Sequence, residues 1–325
     1  MRRVHFKGAS YPRIAFVLAL AGGVDPNLCG DSQGRPGESY EAGPPRLALS
    51  VDTTLVEIPV TVVDSADRAV DNLTAQSFSL YEDGVEQTVV HFGSYDGPIS
   101  ACVLFDSSGS MAGKFNDSIE AVKEFLDFAV SGDEYCLVRF NNWPETVVGM
   151  TRDPARITTA LSRMYPAGWT ALLDGISVGV KEVKLGHNNR KVIVLISDGG
   201  DNRSLQTQRQ IRRLVREAGA QIYSIGIFST SDRSLIPGGT NGSKLLKIIS
   251  GESGGRFFLI HGTDELPSAI QKIMLPVRRQ YLLGYYPRSA HRDGKYRRII
   301  VKVHPPNGTP KVHAYWRAGY YAPSE

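Results

Sequence analysis

Asp106, Ser108 and Ser110 alternate along one short loop and supply one carboxylate and two hydroxyls. All three donors are oxygens, a set that suits a hard divalent cation such as Mg²⁺ or Mn²⁺. No Cys or His stands at ligand spacing in this loop, which argues against zinc. The run before it, Ala101-Cys102-Val103-Leu104-Phe105, is continuously apolar and reads as a strand buried on both faces. The run after it has helical spacing. The three donors therefore fall at the carboxyl end of a strand, where open α/β sheets hold their ligands. The bland alternative is that Asp106 and Ser110 only cap the following helix.

Two more oxygen donors follow in similar contexts. Thr170, in Gly168-Trp169-Thr170-Ala171-Leu172, stands at the start of a helical pattern. Asp198 ends a second apolar strand, Val192-Ile193-Val194-Leu195-Ile196-Ser197. Asp198 alone could make only a turn. Capping and turn roles explain each piece separately but not their joint occurrence. In type, order and context these residues resemble the metal-ion-dependent adhesion site of von Willebrand factor type A (VWA) domains. The resemblance implies a Rossmann-like sheet and a divalent metal, Mg²⁺ or else Mn²⁺ or Ca²⁺, bound by Asp106, Ser108, Ser110, Thr170 and Asp198. It also implies a partner protein that presents an Asp or Glu carboxylate to the metal. Trp169 departs from the small residue common there; it either joins the recognition surface beside the metal or packs on its own loop.

The surrounding elements alternate. Residues 99–278 read as strands and helices in turn, which implies a mostly parallel sheet with helices on both faces. Helical spacing marks Phe115 to Ala129, a helix from Thr170 to Val183, another from Leu205 to Ala218, and a last one from Leu266 to Met274. The flanks have a period of two. Val56, Ile58, Val60 and Val62 alternate with polar positions, and Pro59 argues for an edge or a bulge. Phe78–Glu82 and Val85–Phe92 read as a hairpin about Asp83-Gly84. Downstream, Tyr281–Tyr286, Ile299–Val303 and Val312–Trp316 are further strands. The expected organisation is a secretion signal over 1–21, a Gly/Pro-rich linker over 22–45, and a β-sandwich part over 46–98. The α/β domain over 99–278 is then inserted before a second sandwich part over 279–325, because neither flank alone holds a stable core. The flanks, with Phe78-x-Leu80-x-Glu82-Asp83-Gly84 and Tyr281-Leu282-Leu283-Gly284-Tyr285-Tyr286-Pro287, resemble bacterial exported "VWFA-related" proteins.

The chain has 325 residues, 42% hydrophobic and 22% charged, with a net charge of +4. That charge lies in doublets such as Arg278-Arg279 rather than a basic stripe, so nucleic-acid binding has no support. Arg2, Arg3, Lys7 and Arg13 precede a short apolar run ending in Ala19-Leu20-Ala21, the form of a cleavable export signal, and no stretch has transmembrane length. Export to the periplasm, the cell surface or the medium is the resulting expectation. Cys102 and Cys136 lie in apolar strands and read as buried free thiols; as possible neighbours they could instead pair.

Three functions stay open at this point. The first is a metal-dependent protein-binding module, not an enzyme. The second is a structural envelope protein whose metal stabilises the fold. The third is a phosphatase like the haloacid dehalogenases, with Asp106 as nucleophile and Asp198-Gly199-Gly200-Asp201 as acidic motif; against it, the acid expected two residues after the nucleophile is Ser108. Neither a nucleophile elbow nor a dinucleotide fingerprint is expected.

Overall fold

The computed structural model describes residues 54–228, 242–288, 292–306 and 311–324. Residues 1–21 and 22–45, expected to be a secretion signal and a linker, lie outside the described residues. The chain begins with β1 (Val56–Asp64), β2 (Phe78–Glu82), β3 (Val85–Gln87) and β4 (Val89–Tyr95). An α/β segment follows: β5 (Ile99–Asp106), α1 (Phe115–Asp127), β6 (Glu134–Phe140), β7 (Pro144–Thr151), α2 (Pro154–Leu161), α3 (Leu172–Lys184), β8 (Arg190–Ser197), α4 (Gln208–Ala218), β9 (Ala220–Ile227), α5 (Gly242–Ser253), β10 (Phe257–Ile260) and α6 (Leu266–Val277). The chain closes with β11 (Gln280–Tyr285), β12 (Tyr296–Val303), β13 (Val312–Trp316) and β14 (Gly319–Tyr321).

The central sheet has the order β10-β9-β8-β5-β6-β7. All its pairings are parallel except β6 with β7. Every residue of β5 and β9 is buried, which is why these strands read as unbroken apolar runs. One face packs Phe115, Val122 and Phe125 of α1 and Ile270 and Ile273 of α6; the other packs Ile176 and Val180 of α3, Ile211 of α4 and Leu246 of α5. The chain leaves β5 for β6 on one side, and β8 pairs with the other side of β5. The carboxyl ends of β5 and β8 therefore flank a topological switch point, the usual ligand crevice of such sheets. Cys102 and Cys136 are register partners on β5 and β6, and both are buried free thiols with no disulfide between them.

Two four-stranded sheets, β13-β1-β11-β4 and β14-β12-β2-β3, enclose a separate core around Ile58, Val60, Leu80, Leu283 and Val301. Each draws strands from before and after the α/β segment: β1 pairs with β11 and β13, and β12 pairs with β2. The Asp83-Gly84 turn has positive φ at both residues (49° and 84°), the conformation a two-residue hairpin requires. The side-chain amide of Gln280 donates to Thr61 Oγ1 (2.7 Å) and to Gln221 Oε1 (2.8 Å), tying this core to β9 of the central sheet.

Several sequence expectations need correction. Val85–Phe92 is not one strand: it breaks at Thr88, and β3 and β4 belong to different sheets. β1 is an inner strand, but β13 covers only Val60–Asp64, so Pro59 lies where β1 has β11 alone as a neighbour and the missing N–H costs nothing. The third helix starts at Leu172 rather than Thr170, because the Thr170 carbonyl is taken by the amides of Asn202 (3.0 Å) and Arg203 (3.1 Å). Leu205 is not on the face of α4: it is 93% exposed, and that helix begins behind Thr207, which forms a capping box with Gln210.

Candidate metal centre

Asp106 is the last residue of β5 and is fully buried. Its Oδ1 accepts the Ser108 amide (2.9 Å), and its Oδ2 accepts the Ser197 hydroxyl (2.6 Å). Burial and the nearby negative charge of Asp198 outweigh these bonds and push its pKa up to about 7. Ser108 follows in extended conformation and its Oγ lies 3.1 Å from that of Ser110. Neither Asp106 nor Ser110 caps a helix: the short 3₁₀ turn behind Ser108 and α1 behind Lys114 both lack a side-chain cap bond. That removes the capping alternative for this loop.

Backbone bonds draw the other loops over this one. Gly109 N donates to Gly168 O (3.0 Å) and Ala167 N to Ser107 O (2.8 Å), which fixes the loop before Thr170 against the Asp106 loop. Asn142 Oδ1 accepts Trp169 N (2.9 Å) and Asn202 Oδ1 accepts Thr170 N (2.9 Å). Thr170 is thus held from both sides and is buried. Asp198 follows β8 and is half-buried. A methyl group placed on Gly200 would lie 3.6 Å from Asp198 Oδ1 and 4.0 Å from Thr170 Oγ1, so these two oxygens border one small space beside a residue with no side chain to fill it. The structure brings Ser108 next to Ser110, Thr170 next to Asp198, and both carboxylates within electrostatic reach of each other.

A divalent cation fits these residues. A buried carboxylate whose proton affinity is raised by burial and by a second carboxylate nearby, lined by hydroxyls, belongs to an oxygen-only donor set that a hard cation would neutralise. Among the described residues no group of three or more His, Cys, Asp or Glu converges as a metal cluster, so the hydroxyls are essential to this reading.

Some supporting residues carry no recognisable signal in the sequence. Ser197 holds Asp106 and also accepts Gly199 N (2.9 Å), yet in the sequence it is only the end of a strand. Asn142 and Asn202 act through loops distant in sequence. Asp174 anchors the 198–207 loop by accepting the amides of Leu205 (2.9 Å) and Gln206 (3.0 Å). Trp169 is 61% exposed, and Trp143 and Leu205 join it as exposed apolar side chains on loops bonded to the Thr170 loop or to α3. One omission also needs correcting. Gly-x-Ser-x-Gly does occur, at 30–34, 175–179 and 251–255. The first lies outside the described residues, Ser177 is buried within α3, and Ser253 is buried at the end of α5, so neither described serine is on a strand-to-helix elbow.

The family model for the von Willebrand factor type A domain matches residues 102–272, more than half of the 325-residue chain. The chain belongs to the von Willebrand factor type A family. Domains of this family are typically metal-dependent protein-interaction modules. Among curated proteins the chain is similar to inter-alpha-trypsin inhibitor heavy chain H2 of Sus scrofa, 28% identical over 229 residues, covering 63% of this chain and 23% of that protein. The chain thus spans about a quarter of the length of that relative. Among solved structures it is similar to a von Willebrand factor type A protein from Catenulispora acidiphila, with 12% identity and a TM-score of 0.49 over 84% of this chain and 75% of the other. It is also similar to proximal thread matrix protein 1 of the mussel byssus with its MIDAS motif occupied by zinc, with 19% identity and a TM-score of 0.48 over 60% and 49%.

Proposed function

We propose that this VWA chain is an exported protein-binding module, without enzymatic activity, that recognises an Asp or Glu carboxylate of a partner protein through a bound Mg²⁺ or Mn²⁺ ion. Asp106, Ser108, Ser110, Thr170 and Asp198 would hold the ion. When bound, it supplies a positive charge and an exchangeable position for a carboxylate oxygen. The observation that carries this reading is Asp106: a fully buried carboxylate beside a second one, faced by hydroxyls rather than by an Arg or Lys. Trp169, Trp143 and Leu205 are exposed on neighbouring loops and would contact the residues flanking the partner's carboxylate. Export is supported by the basic, then apolar, first residues. In addition, no helix among the described residues is long and apolar enough to cross a membrane.

The phosphatase reading loses support. That reading needs an acid two residues after the nucleophile, and the residue there is Ser108, whose hydroxyl lies 3.1 Å from that of Ser110. The test is binding of an array of Asp- and Glu-containing peptides to the purified chain, with Mg²⁺ or with chelator. Retention that needs metal and disappears in Asp106→Ala supports the proposal. Retention indifferent to both would overturn it.

A further inference from the structure

Two of the chain's three tryptophans are exposed, and both stand on loops that meet at the candidate metal centre. Trp143, in the β6–β7 turn, is 64% exposed, and Trp169, beside Thr170, is 61% exposed. The third, Trp316, is half-buried against the sandwich core and donates its indole N–H to Ile299 O (3.0 Å). Large aromatic side chains left in water on adjacent loops mark a contact surface.

The backbone sets them in a row with one of the five oxygen donors. Asp106, Ser108 and Thr170 are buried and Asp198 is half-buried. Ser110 is exposed, which makes its side the open approach to the ion. Gly109 N donates to Gly168 O (3.0 Å), so Ser110 stands beside the Gly168-Trp169 corner. Asn142 Oδ1 accepts Trp169 N (2.9 Å) and Asn141 O accepts Ala171 N (2.7 Å), so the turn that carries Trp143 stands on the far side of that corner. The order across the surface is therefore Ser110, Trp169, Trp143. Gly109 and Gly168 lie between the first two, are exposed, and have no side chain to interrupt the row. Gly168 has a φ of +81°, and a Cβ there would come within 2.7 Å of Asn142 Oδ1, so this close seating requires glycine. Three segments in hydrogen-bonded contact span roughly 10 Å, the reach of about three residues of extended chain. None of these residues is charged, and Glu145, just beyond Trp143, is ion-paired with Arg139 (2.6 Å). Charge complementarity thus ends at the ion, and the surface beside it is apolar.

On the basis of the carboxylate-binding role proposed above, we propose that the partner's recognition element is a short extended segment. It carries an Asp or Glu for the metal and apolar ring-bearing side chains (Phe, Tyr, Trp or Pro) about two and four residues to one side, seated on Trp169 and Trp143. An extended chain turns alternate side chains to one face, which sets that spacing. Ring-on-ring contacts and proline on an aromatic platform both add to simple area burial. The ion anchors the acid, and the two tryptophans determine which acidic segments are accepted.

The test is fluorescence polarisation of labelled peptides with the purified full chain, in Mg²⁺ and in chelator. The parent peptide holds a central Asp in Gly and Ser. One variant peptide has Phe two and four residues after the Asp, and another has Phe two and four residues before it. At least one Phe peptide is expected to bind about tenfold tighter than the parent, or more, only with metal. In Trp169→Ala and in Trp143→Ala that ratio is expected to fall toward one; both side chains are exposed, so the fold is retained. A ratio near one in wild type, or a gain kept in either variant, overturns this specificity and leaves the metal-dependent carboxylate reading standing. Absence of metal-dependent binding of all three peptides overturns that reading and this one with it. Mg²⁺-dependent self-association of the chain without peptide, read by sedimentation velocity and lost in Trp169→Ala, would assign the row to a second copy and likewise overturn the proposal.

Discussion

Replacing Asp106 with Asn should stabilise the metal-free protein at alkaline pH, although it removes a charge from the centre of the site. The Asp106 carboxyl is fully buried and its pKa is raised from 3.8 to about 7 by that burial and by Asp198. Between those two values the folded protein holds a proton that the unfolded chain has lost. Wild-type stability therefore falls as pH rises from about 4 to about 7, by at most about 1.4 kcal/mol per unit and by about 4 kcal/mol in total. Asparagine carries no charge to desolvate. Its oxygen can still accept the Ser108 amide and its NH₂ can donate to Ser197 Oγ. The magnitude corresponds to a melting-temperature gap on the order of 10 °C at pH 8 for a protein of this size. The assay is thermal unfolding of wild type and Asp106→Asn in chelated buffers from pH 5 to pH 8. The difference between the two proteins cancels the other titrating groups. The variant is expected to lie above wild type throughout, with a gap that widens from pH 5 to about pH 7 and stays constant above it. Parallel curves would refute the reasoning, since they would mean that Asp106 ionises in the fold as readily as in the unfolded chain.

Other expectations follow from the same geometry. Glu134 is buried, but bonds from His187 N (2.7 Å), His187 Nδ1 (2.8 Å) and Ser100 Oγ (3.0 Å) outweigh the burial and hold its pKa down at about 2. Its contribution is full above about pH 4.5 and is lost as pH falls toward 2, so the stability gap between wild type and Glu134→Gln should close over that range in acid titrations. Arg278→Gln should cost about 3 kcal/mol in urea unfolding, because it leaves the buried Asp133 carboxylate without its cation. Trp169→Ala should weaken metal-dependent peptide binding while changing stability by less than about 0.5 kcal/mol and leaving metal affinity intact, as peptide and metal titrations side by side would show.

The legibility of the fold in the sequence depended on burial. β5, β8 and β9 are covered on both faces, so their apolar runs were readable without a partner strand. The Asp83-Gly84 turn was readable because positive φ at consecutive residues restricts the residue types. The break at Thr88 was not: Val85–Phe92 has strand composition throughout, and only the separation of the two sheets forces the chain to change sheets there. Leu205 misled for a related reason, since an apolar residue one turn ahead of a helix is indistinguishable from its first core contact until Thr207 is seen to cap it. In the candidate site, the five oxygen-bearing residues stand out in the sequence because each lies at the edge of a recognisable element. Ser197, Asn142 and Asn202 were not, because their roles depend on loops meeting in space.

The central claim is that the oxygens of Asp106, Ser108, Ser110, Thr170 and Asp198 form one divalent-metal site. Calorimetric titration of the purified chain with Mg²⁺ and Mn²⁺, wild type beside Asp106→Ala, tests it most directly. Saturable one-to-one binding that the substitution abolishes is expected, with proton release in wild type below about pH 7, where Asp106 must give up its proton to the incoming cation. Binding of equal strength in both proteins, or no binding in wild type at millimolar metal, would contradict it.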